Sequence, residues 1–303
     1  MSYLVWLVTG CSPGGFGECF VHGILARGDK VIATARNLEK VKHFEKAGAA
    51  VLQLDITHSQ QNINDVISKA ISIYGRIDVL VNNAAYVAIG TWEDLEADDF
   101  QAQFDTNVFG TIKVTRAVLP HFRQRHAGTA VFIGSLSGWV GHPGVGAYAG
   151  SKHALEGQGS RILSYVCTLT VKGIVESLHH ETSHLGIRTL LIEPGRFRTL
   201  LLSSQNMKAV QTKVGDYARF NEALLEGLAR EDQRQPGDPV KLAKIVVDLV
   251  RGEGVAQGRY VPFRLPLGID CFDEVKAKCE ETLKLLEDWK DVIRSTDHDD
   301  QTK

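Results

Sequence analysis

The chain has 303 residues, 44% of them hydrophobic and 23% charged, with a net charge of −2. This composition excludes a disordered chain, and the near-neutral charge gives no reason to expect nucleic acid or an anionic membrane as a partner. The five cysteines are odd in number and lack metal-site spacing, and no apolar run approaches the ~20 residues of a membrane span. We therefore expect a cytoplasmic protein with free thiols.

Short β-branched runs alternate with longer helical patterns along the chain. This alternation predicts an α/β fold, a Rossmann-like doubly wound parallel sheet of about seven strands with helices on both faces. Strands are predicted at Leu4–Val8, Lys30–Ala35, Ala50–Leu54, Ile77–Asn82, Thr129–Ser135, Arg188–Glu193 and Gly258–Val261. Helices are predicted near Gly17–Arg27, Leu38–Ala47, Gln60–Tyr74, Ala97–Arg125, Pro239–Val250 and Phe272–Ile293. Because no linker divides the chain, we expect a single domain over residues 1–303.

The first predicted strand runs into a glycine-rich loop that a helical pattern follows. Glycines at such a place permit a tight turn and a close approach of the backbone to a pyrophosphate, to which the helix N-terminus supplies amide donors. The alternative interpretation is a plain glycine-rich turn. We assign five residues of this loop to cofactor binding: Gly10, Ser12, Gly15, Phe16 and Gly17.

The next three strands each end in a residue suited to the rest of a dinucleotide. Arg36 follows the second strand, where NAD sites usually carry an acidic residue and a basic residue accommodates the 2′-phosphate of NADP. Arg36 therefore favours NADP(H) as the cofactor, and NADPH in turn favours the reduction of a ketone. The alternative interpretation is that Arg36 is only an exposed surface arginine. Asp55 follows the third strand and could accept a hydrogen bond from the adenine amino group. Asn83 follows the fourth, in a stretch whose small residues let the backbone pass close to a nucleotide.

A candidate catalytic set of three residues begins at the end of the fifth predicted strand. Ser135 ends that strand, Tyr148 follows thirteen residues later, and Lys152 lies four residues beyond it, on the same face of a helix. A free tyrosine has a pKa of about 10, and a neighbouring ammonium lowers it. Ser135 would bind the substrate carbonyl, Tyr148 would donate a proton to the nascent alkoxide, and Lys152 would assist Tyr148 and bind the nicotinamide ribose.

With these residues in place, the chain resembles the short-chain dehydrogenase/reductase family from Leu4 to about Thr199. The resemblance rests on the Thr-Gly loop, Asp55, the Asn-Asn-Ala stretch, Ser135, Tyr148 with Lys152, and Glu193-Pro194-Gly195. It implies that Asn107 supports a water-linked proton relay from the lysine and that Thr199 contacts the nicotinamide carboxamide. Phe197, Tyr148 and Lys152 join Thr199 in the expected cofactor site. The glycine loop departs from the family pattern by one extra residue, and Ala85 stands where glycine is usual.

Residues 158–173 interrupt the helix that the resemblance implies. Ser151–Gly157 would continue directly into Ile174–Leu178, but sixteen residues intervene, including Val166–Val171, which are poor helix formers. One explanation is a surface insertion that loops out. We favour the other, a translated intron, because the insert follows the catalytic lysine so closely. Since family members assemble through this helix, the insert could also block a homo-oligomer.

Two further readings of the chain remain open. His180–His184 spells His-Glu-x-x-His, a zinc hydrolase pattern for which no third ligand is evident, so a helix end with partly exposed histidines is the simpler interpretation. The insert also leaves a non-catalytic NADP-binding protein as an alternative. Otherwise residues 196–235 and 261–295 should form a substrate lid and a C-terminal helical extension, and the apolar residues of the lid suggest a medium-sized apolar carbonyl substrate.

Overall fold

The computed structural model describes residues 3–157, 173–203 and 206–298. Its strands are β1 Val5–Val8, β2 Lys30–Ala35, β3 Ala50–Gln53, β4 Val79–Asn82, β5 Val87–Ile89, β6 Gly128–Ile133, β7 Ile187–Pro194, β8 Met207–Ala209 and β9 Arg264–Leu267. Its α-helices are α1 Phe16–Ala26, α2 Gln60–Tyr74, α3 Ala97–Phe104, α4 Thr111–Arg125, α5 Gly146–Glu156, α6 Ile174–Thr182, α7 Ala218–Glu231, α8 Pro239–Arg251, α9 Ile269–Asp288 and α10 Lys290–Arg294.

Seven of the strands form one parallel sheet in the order β3-β2-β1-β4-β6-β7-β9. On one face the core joins Phe20 of α1 to Val246 of α8, and on the other it joins Ile63 of α2 to Val114 of α4. Strands covered on both faces read as continuous apolar runs, which is why their positions could be seen in the sequence. The prediction of a Rossmann-like doubly wound sheet is confirmed.

The prediction of a last strand at Gly258–Val261 is wrong. Gly258 has φ +72°, and Tyr260 is 90% exposed, so this stretch is a turn at the surface. The seventh strand is β9, which pairs with β7 at the edge of the sheet and contains Pro266. Proline cannot donate a backbone hydrogen bond to a neighbouring strand and is tolerated at the edge of a sheet. Because proline in a segment argues against a strand, β9 was not predicted from the sequence.

Two predicted helices have a different form in the structure. The segment predicted as one helix over Ala97–Arg125 consists of α3, a π-helical turn over Asp105–Gly110, and α4. The segment Leu38–Ala47 consists of two short 3₁₀ helices. The helix α8 begins as its sequence indicates, because the carboxylate of Asp238 accepts from the amide of Val240 at its N-terminus.

A second, two-stranded sheet covers the carboxyl end of the main sheet. In it β8, from the segment after β7, pairs in parallel with β5, from the segment after β4. The amide of Val87 donates to the carbonyl of Asn206 (3.1 Å), and the amide of Val210 donates to that of Ile89 (2.8 Å). This pairing fixes part of the predicted lid over the site described below.

The suspected insertion, residues 158–173, lies outside the described residues except for Gly173. The residues that flank the rest of it are in contact: a Cβ on Gly173 would lie 2.5 Å from the carbonyl oxygen of Glu156 and would collide with the amide of Gly157. The chain therefore leaves α5 and enters α6 at the same place in space. That residues 158–173 are a translated intron stays a prediction, and the sequence of the transcript tests it.

Candidate active site

A cleft opens at the carboxyl ends of the parallel strands. Loops that follow β1, β2, β3, β4, β6 and β7 all contribute to its walls, which is where ligands bind in open α/β sheets. Most of the residues predicted from the sequence meet here: Gly10, Ser12, Gly15, Phe16, Arg36, Asp55, Asn83, Ser135, Tyr148, Lys152 and Thr199. Gly17, Asn107 and Phe197 lie behind its wall.

The glycine loop approaches its own helix too closely for a side chain at Gly17. A Cβ there would lie 2.7 Å from the Cα of Cys11 and would collide with the carbonyl of Gly10. Gly17 thus lets α1 begin directly beneath the loop, so that the helix N-terminus faces the cleft and can donate amides to a pyrophosphate. Asn83 supports the loop from β4, because its Nδ2 donates to the carbonyls of Thr9 and Gly10 at 2.9 and 3.0 Å.

Arg36 and Asp55 stand together at one end of the cleft. Burial acts to raise the pKa of Asp55, but hydrogen bonds from Thr57 and the charges of His58 and Arg36 outweigh it and lower that pKa. The carboxylate accepts from the amide and hydroxyl of Thr57 at 2.9 and 2.7 Å. Asp55 is therefore an ionised acceptor in a fixed position, while the Arg36 side chain is exposed and can meet an anionic group.

Ser135 and Tyr148 meet at the other end of the cleft. Burial raises the pKa of Tyr148 to about 12, and a hydrogen bond with the side chain of Ser135 works against that rise. Ser135 is itself held by the amide of Ser137, which donates to its Oγ (3.1 Å). Tyr148 thus keeps its proton at neutral pH and can give it to a group bound beside Ser135.

Lys152 lies on the same face of α5 as Tyr148. Its Nζ donates to the carbonyl of Ile133 (2.7 Å) and lies 5.8 Å from the centroid of the Tyr148 ring. The Lys152 side chain is buried, and this burial lowers its pKa. The sequence led us to expect that Lys152 lowers the pKa of Tyr148, whereas in the structure burial raises that pKa and the hydrogen bond with Ser135 is what opposes the rise.

Asn107 occupies the π-helical turn between α3 and α4. Its Oδ1 accepts from the amide of Tyr86 (3.2 Å), and its Nδ2 donates to the Oγ of Ser151 (3.1 Å) on α5. A π-helical turn inside an α-helix often marks a functional position. Here the turn places Asn107 beside the cleft, where its side chain forms hydrogen bonds both to the loop after β4 and to α5.

The remaining two predicted cofactor residues differ in position. Thr199 lines the cleft and caps a short 3₁₀ turn, its Oγ1 accepting from the amide of Leu201 (3.3 Å). Phe197 packs its ring against Phe16, with centroids 5.4 Å apart, and forms a bridge with Gly237. Phe197 therefore supports the glycine loop from behind.

Apolar side chains pack around Tyr148. Three come from β5 and from the residue before α5, namely Val87, Ile89 and Val145, and five come from the segment predicted as a lid, namely Leu201, Met207, Leu224, Leu225 and Leu228. The sequence placed apolar residues in this lid without showing whether they pack the core or line a pocket. In the structure they pack around the tyrosine, so a group bound there would be shielded from water.

Some residues at the site escaped sequence analysis. Tyr86, Thr106 and Asn206 line the cleft, and Glu156 lies behind Ser135. Tyr86 and Asn206 come from loops and Thr106 comes from the π-helical turn, and the path of neither kind of segment can be predicted from periodicity. Glu156 gave one signal, a charged side chain four residues after Lys152 on a helix whose other face is apolar.

The His-Glu-x-x-His segment lies apart from the cleft, at the end of α6. There His180 lies 3.9 Å from Glu176, and His179 stacks on Phe263. Within the described ranges, no three His, Cys, Asp or Glu side chains are placed to hold a metal ion. The described residues also contain no helix long and apolar enough to cross a membrane.

Comparison with known proteins identifies the family to which this site belongs. Residues 4–209 match the family model described as short chain dehydrogenase. The oxidoreductase YusZ of Bacillus subtilis (strain 168) is 34% identical over 270 residues, which cover 86% of this chain and 89% of that protein. Oxidoreductase BOA17 of Botryotinia fuckeliana (strain B05.10) is 32% identical over 293 residues, covering 95% of this chain and 97% of its own length.

Solved structures agree with this assignment. A short-chain dehydrogenase from Streptomyces avermitilis is 32% identical, covers 98% of this chain and 100% of its own, and superposes with a TM-score of 0.81. ElxO, at 23% identity and a TM-score of 0.67, shares the fold over 90% of this chain and all of its own. The protein therefore belongs to the short-chain dehydrogenase/reductase family of oxidoreductases.

Proposed function

We propose that the protein is an NADP(H)-dependent reductase that converts a medium-sized apolar ketone or aldehyde to the alcohol. The observation that carries this proposal is the arrangement of one cleft, with Arg36 at one end and Ser135, Tyr148 and Lys152 at the other. When bound, NADPH supplies the hydride. The protein supplies the position, the proton and the exclusion of water.

The residues of the cleft fit NADP(H). The glycine loop and the N-terminus of α1 suit the pyrophosphate, Asp55 suits the adenine, and the exposed cation of Arg36 suits a 2′-phosphate. ElxO was solved with NADP bound, which supports this cofactor class for the shared fold. Lys152 and Thr199 would hold the nicotinamide end.

The chemistry at Tyr148 favours reduction. Because burial raises its pKa to about 12, Tyr148 is protonated at neutral pH and is ready to act as a general acid. Ser135 would donate a hydrogen bond to the substrate carbonyl and polarise it, and Tyr148 would then protonate the oxygen as charge develops there. Lys152 and Asn107 would restore the proton through a water-linked path, as the family resemblance implies.

The lid favours an apolar substrate. The side chains around Tyr148 are aliphatic or methionine, and burial of such surface stabilises a ligand by about 25 cal/mol per Å². A charged substituent on the substrate would lose its hydration among these apolar side chains.

The first test is cofactor oxidation with a panel of carbonyl compounds. We expect the protein to oxidise NADPH in the presence of apolar ketones or aldehydes, with NADH and carboxylated analogues both poorer. The same panel is run with a chain that lacks residues 158–173, because the insert could depress activity. If both chains bind NADPH and neither turns over any carbonyl compound, the protein is a non-catalytic NADP-binding protein and the proposal fails.

A further inference from the structure

The carboxyl group of Glu156 lies directly behind Ser135. Glu156 ends α5 with none of its surface exposed, and its Oε1 accepts from the amide of Ser135 at 2.7 Å. Its Oε2 is buried and has no hydrogen-bond donor among the described residues. A buried acceptor without a donor is costly, so the protonation state of this oxygen matters.

Two glycines shape a slot that fits this carboxyl group. A Cβ on Gly134 would lie 2.5 Å from Glu156 Oε1, and a Cβ on Gly138 would collide with Oε2. Both glycines flank Ser135 in the chain. The loop that carries the serine is therefore built around the Glu156 carboxyl, which fixes where Ser135 sits.

A second buried carboxyl group, that of Glu193 on β7, lies close to Glu156, because both groups approach Nη2 of Arg264. Glu193 is also fully buried, and it accepts from Trp139 Nε1 (2.8 Å) and from Arg264 Nε (3.1 Å). Arg264 Nη2 contacts Glu193 directly and lies 3.9 Å from Glu156 Oε2. The cation is thus committed to Glu193, and the other positive charge that acts on Glu156 belongs to Lys152, whose own pKa is lowered by burial.

From this geometry we propose that Glu156 is a neutral carboxylic acid that positions Ser135, accepting the serine amide at Oε1 and donating its Oε2 proton to the Glu193 carboxylate. A proton on Oε2 turns the orphaned acceptor into a donor. Burial, the charge of Glu193 and a hydrogen bond to Glu193 raise the pKa of Glu156, and they outweigh the charge of Lys152 and the amide of Ser135, which lower it. Glu156 acts through Ser135 and is a positioning residue.

The neutral state has a consequence for proton transfer, which rests on the function proposed above. The charged and titratable groups that face Glu156 come from four elements: Lys152 and Tyr148 of α5, Glu193 of β7, Arg264 of β9 and Cys271 of α9. An ionised Glu156 would raise the pKa of Tyr148 further and would neutralise the field of Lys152. As a neutral acid, Glu156 leaves the pKa of Tyr148 without this further rise, and it no longer supports the protonated form of Lys152 against burial.

Matched substitutions at the two carboxyl groups test the proposal. Glu156→Gln keeps an acceptor for Ser135 and a donor for Glu193, so it should retain kcat/KM within about threefold and an unshifted pH profile. Glu156→Leu removes both bonds and should lower kcat/KM by about tenfold. Glu193→Gln breaks the ion pair with Arg264 and should lower Tm by about 5–10 °C, whereas Glu156→Gln should not lower it.

Infrared difference spectroscopy gives a readout that does not depend on turnover. The wild-type protein should show the C=O stretch of a protonated, buried carboxyl at neutral pH, and Glu156→Gln should lack it. The proposal is overturned if that band is missing, if Glu156→Gln shifts the pH profile by one unit or more, or if the stability effects of the two glutamine variants are reversed. If Glu156→Leu does not fold, the infrared spectrum and the comparison of Glu156→Gln with Glu193→Gln still test the proposal. If no carbonyl is reduced, the spectrum separates failure of this proposal from failure of the proposed function.

Discussion

Replacing Arg36 with alanine should weaken the binding of NADPH and leave that of NADH almost unchanged. Arg36 is exposed at the end of β2, and at a separation of 4 Å two unit charges attract by only about 1 kcal/mol in water. A 2′-phosphate carries about two negative charges, so we expect a loss of about 1–2 kcal/mol, or about 5- to 30-fold in Kd.

Fluorescence titration of both cofactors measures this change. Because the attraction is screened, the effect should shrink as salt rises from 0.01 to about 0.15 M. Arg259→Ala, a substitution of another exposed arginine that does not line the cleft, is the matched control and should change neither Kd. The reasoning is refuted if the wild-type protein prefers NADH, or if Arg36→Ala weakens both cofactors equally.

Three further predictions follow from buried groups and from the insert. Asp29 accepts from Trp6 Nε1 (3.0 Å) and Arg251 Nη1 (2.7 Å), so Asp29→Ala should cost about 3 kcal/mol and lower Tm by about 5 °C, as measured by calorimetry. Burial raises the pKa of Cys11 to about 12, so the stability held by this neutral thiol is full below its unfolded pKa of about 8.5 and is lost as pH rises through 12. Cys11→Ala should therefore flatten urea-measured stability over that range. Removal of residues 158–173 should leave a folded protein with an equal or higher Tm and reductase activity at least as high, because a closed loop is no longer required.

Each of these predictions has a control and a contradicting outcome. Asp65→Ala, on the exposed face of α2, should leave Tm within about 1 °C, and an Asp29→Ala variant that melts with the wild type contradicts the first. Cys279→Ala, at a partly exposed thiol, should keep the wild-type alkaline slope, and an equal slope for Cys11→Ala contradicts the second. A deletion variant that is insoluble or inactive beside an active full chain contradicts the third, as does a spliced transcript that contains all sixteen codons, 158–173.

The sheet could be predicted from the sequence wherever its strands are buried on both faces. Such strands, like β1 and β4, are continuous apolar runs, and the first six predicted strands lie close to β1, β2, β3, β4, β6 and β7. The edge strand β9 could not be read, since its burial is only partial and it contains Pro266. The short pair of β5 and β8 was also missed, because their pairing depends on how two distant loops fold over the cleft.

The site was predictable where chemistry follows a strand end. Ser135, Tyr148 and Lys152 meet as expected because the helix spacing of four and the end of β6 fix their places. The role of burial at Tyr148 could not be foreseen, since the depth of the cleft depends on the lid. Glu156 was passed over because a glutamate on a helix is usually solvated, and its slot exists only after Gly134 and Gly138 are brought around it.

The central claim is that Tyr148 gives the proton during carbonyl reduction. Single-turnover oxidation of NADPH with a substrate found by the carbonyl panel tests it most directly, with Tyr148→Phe compared with Tyr74→Phe on α2 as the control. We expect Tyr148→Phe to slow the step by about 10²–10⁴-fold while NADPH binding changes by less than about threefold. A Tyr148→Phe variant that reduces the substrate at the wild-type rate would contradict the account.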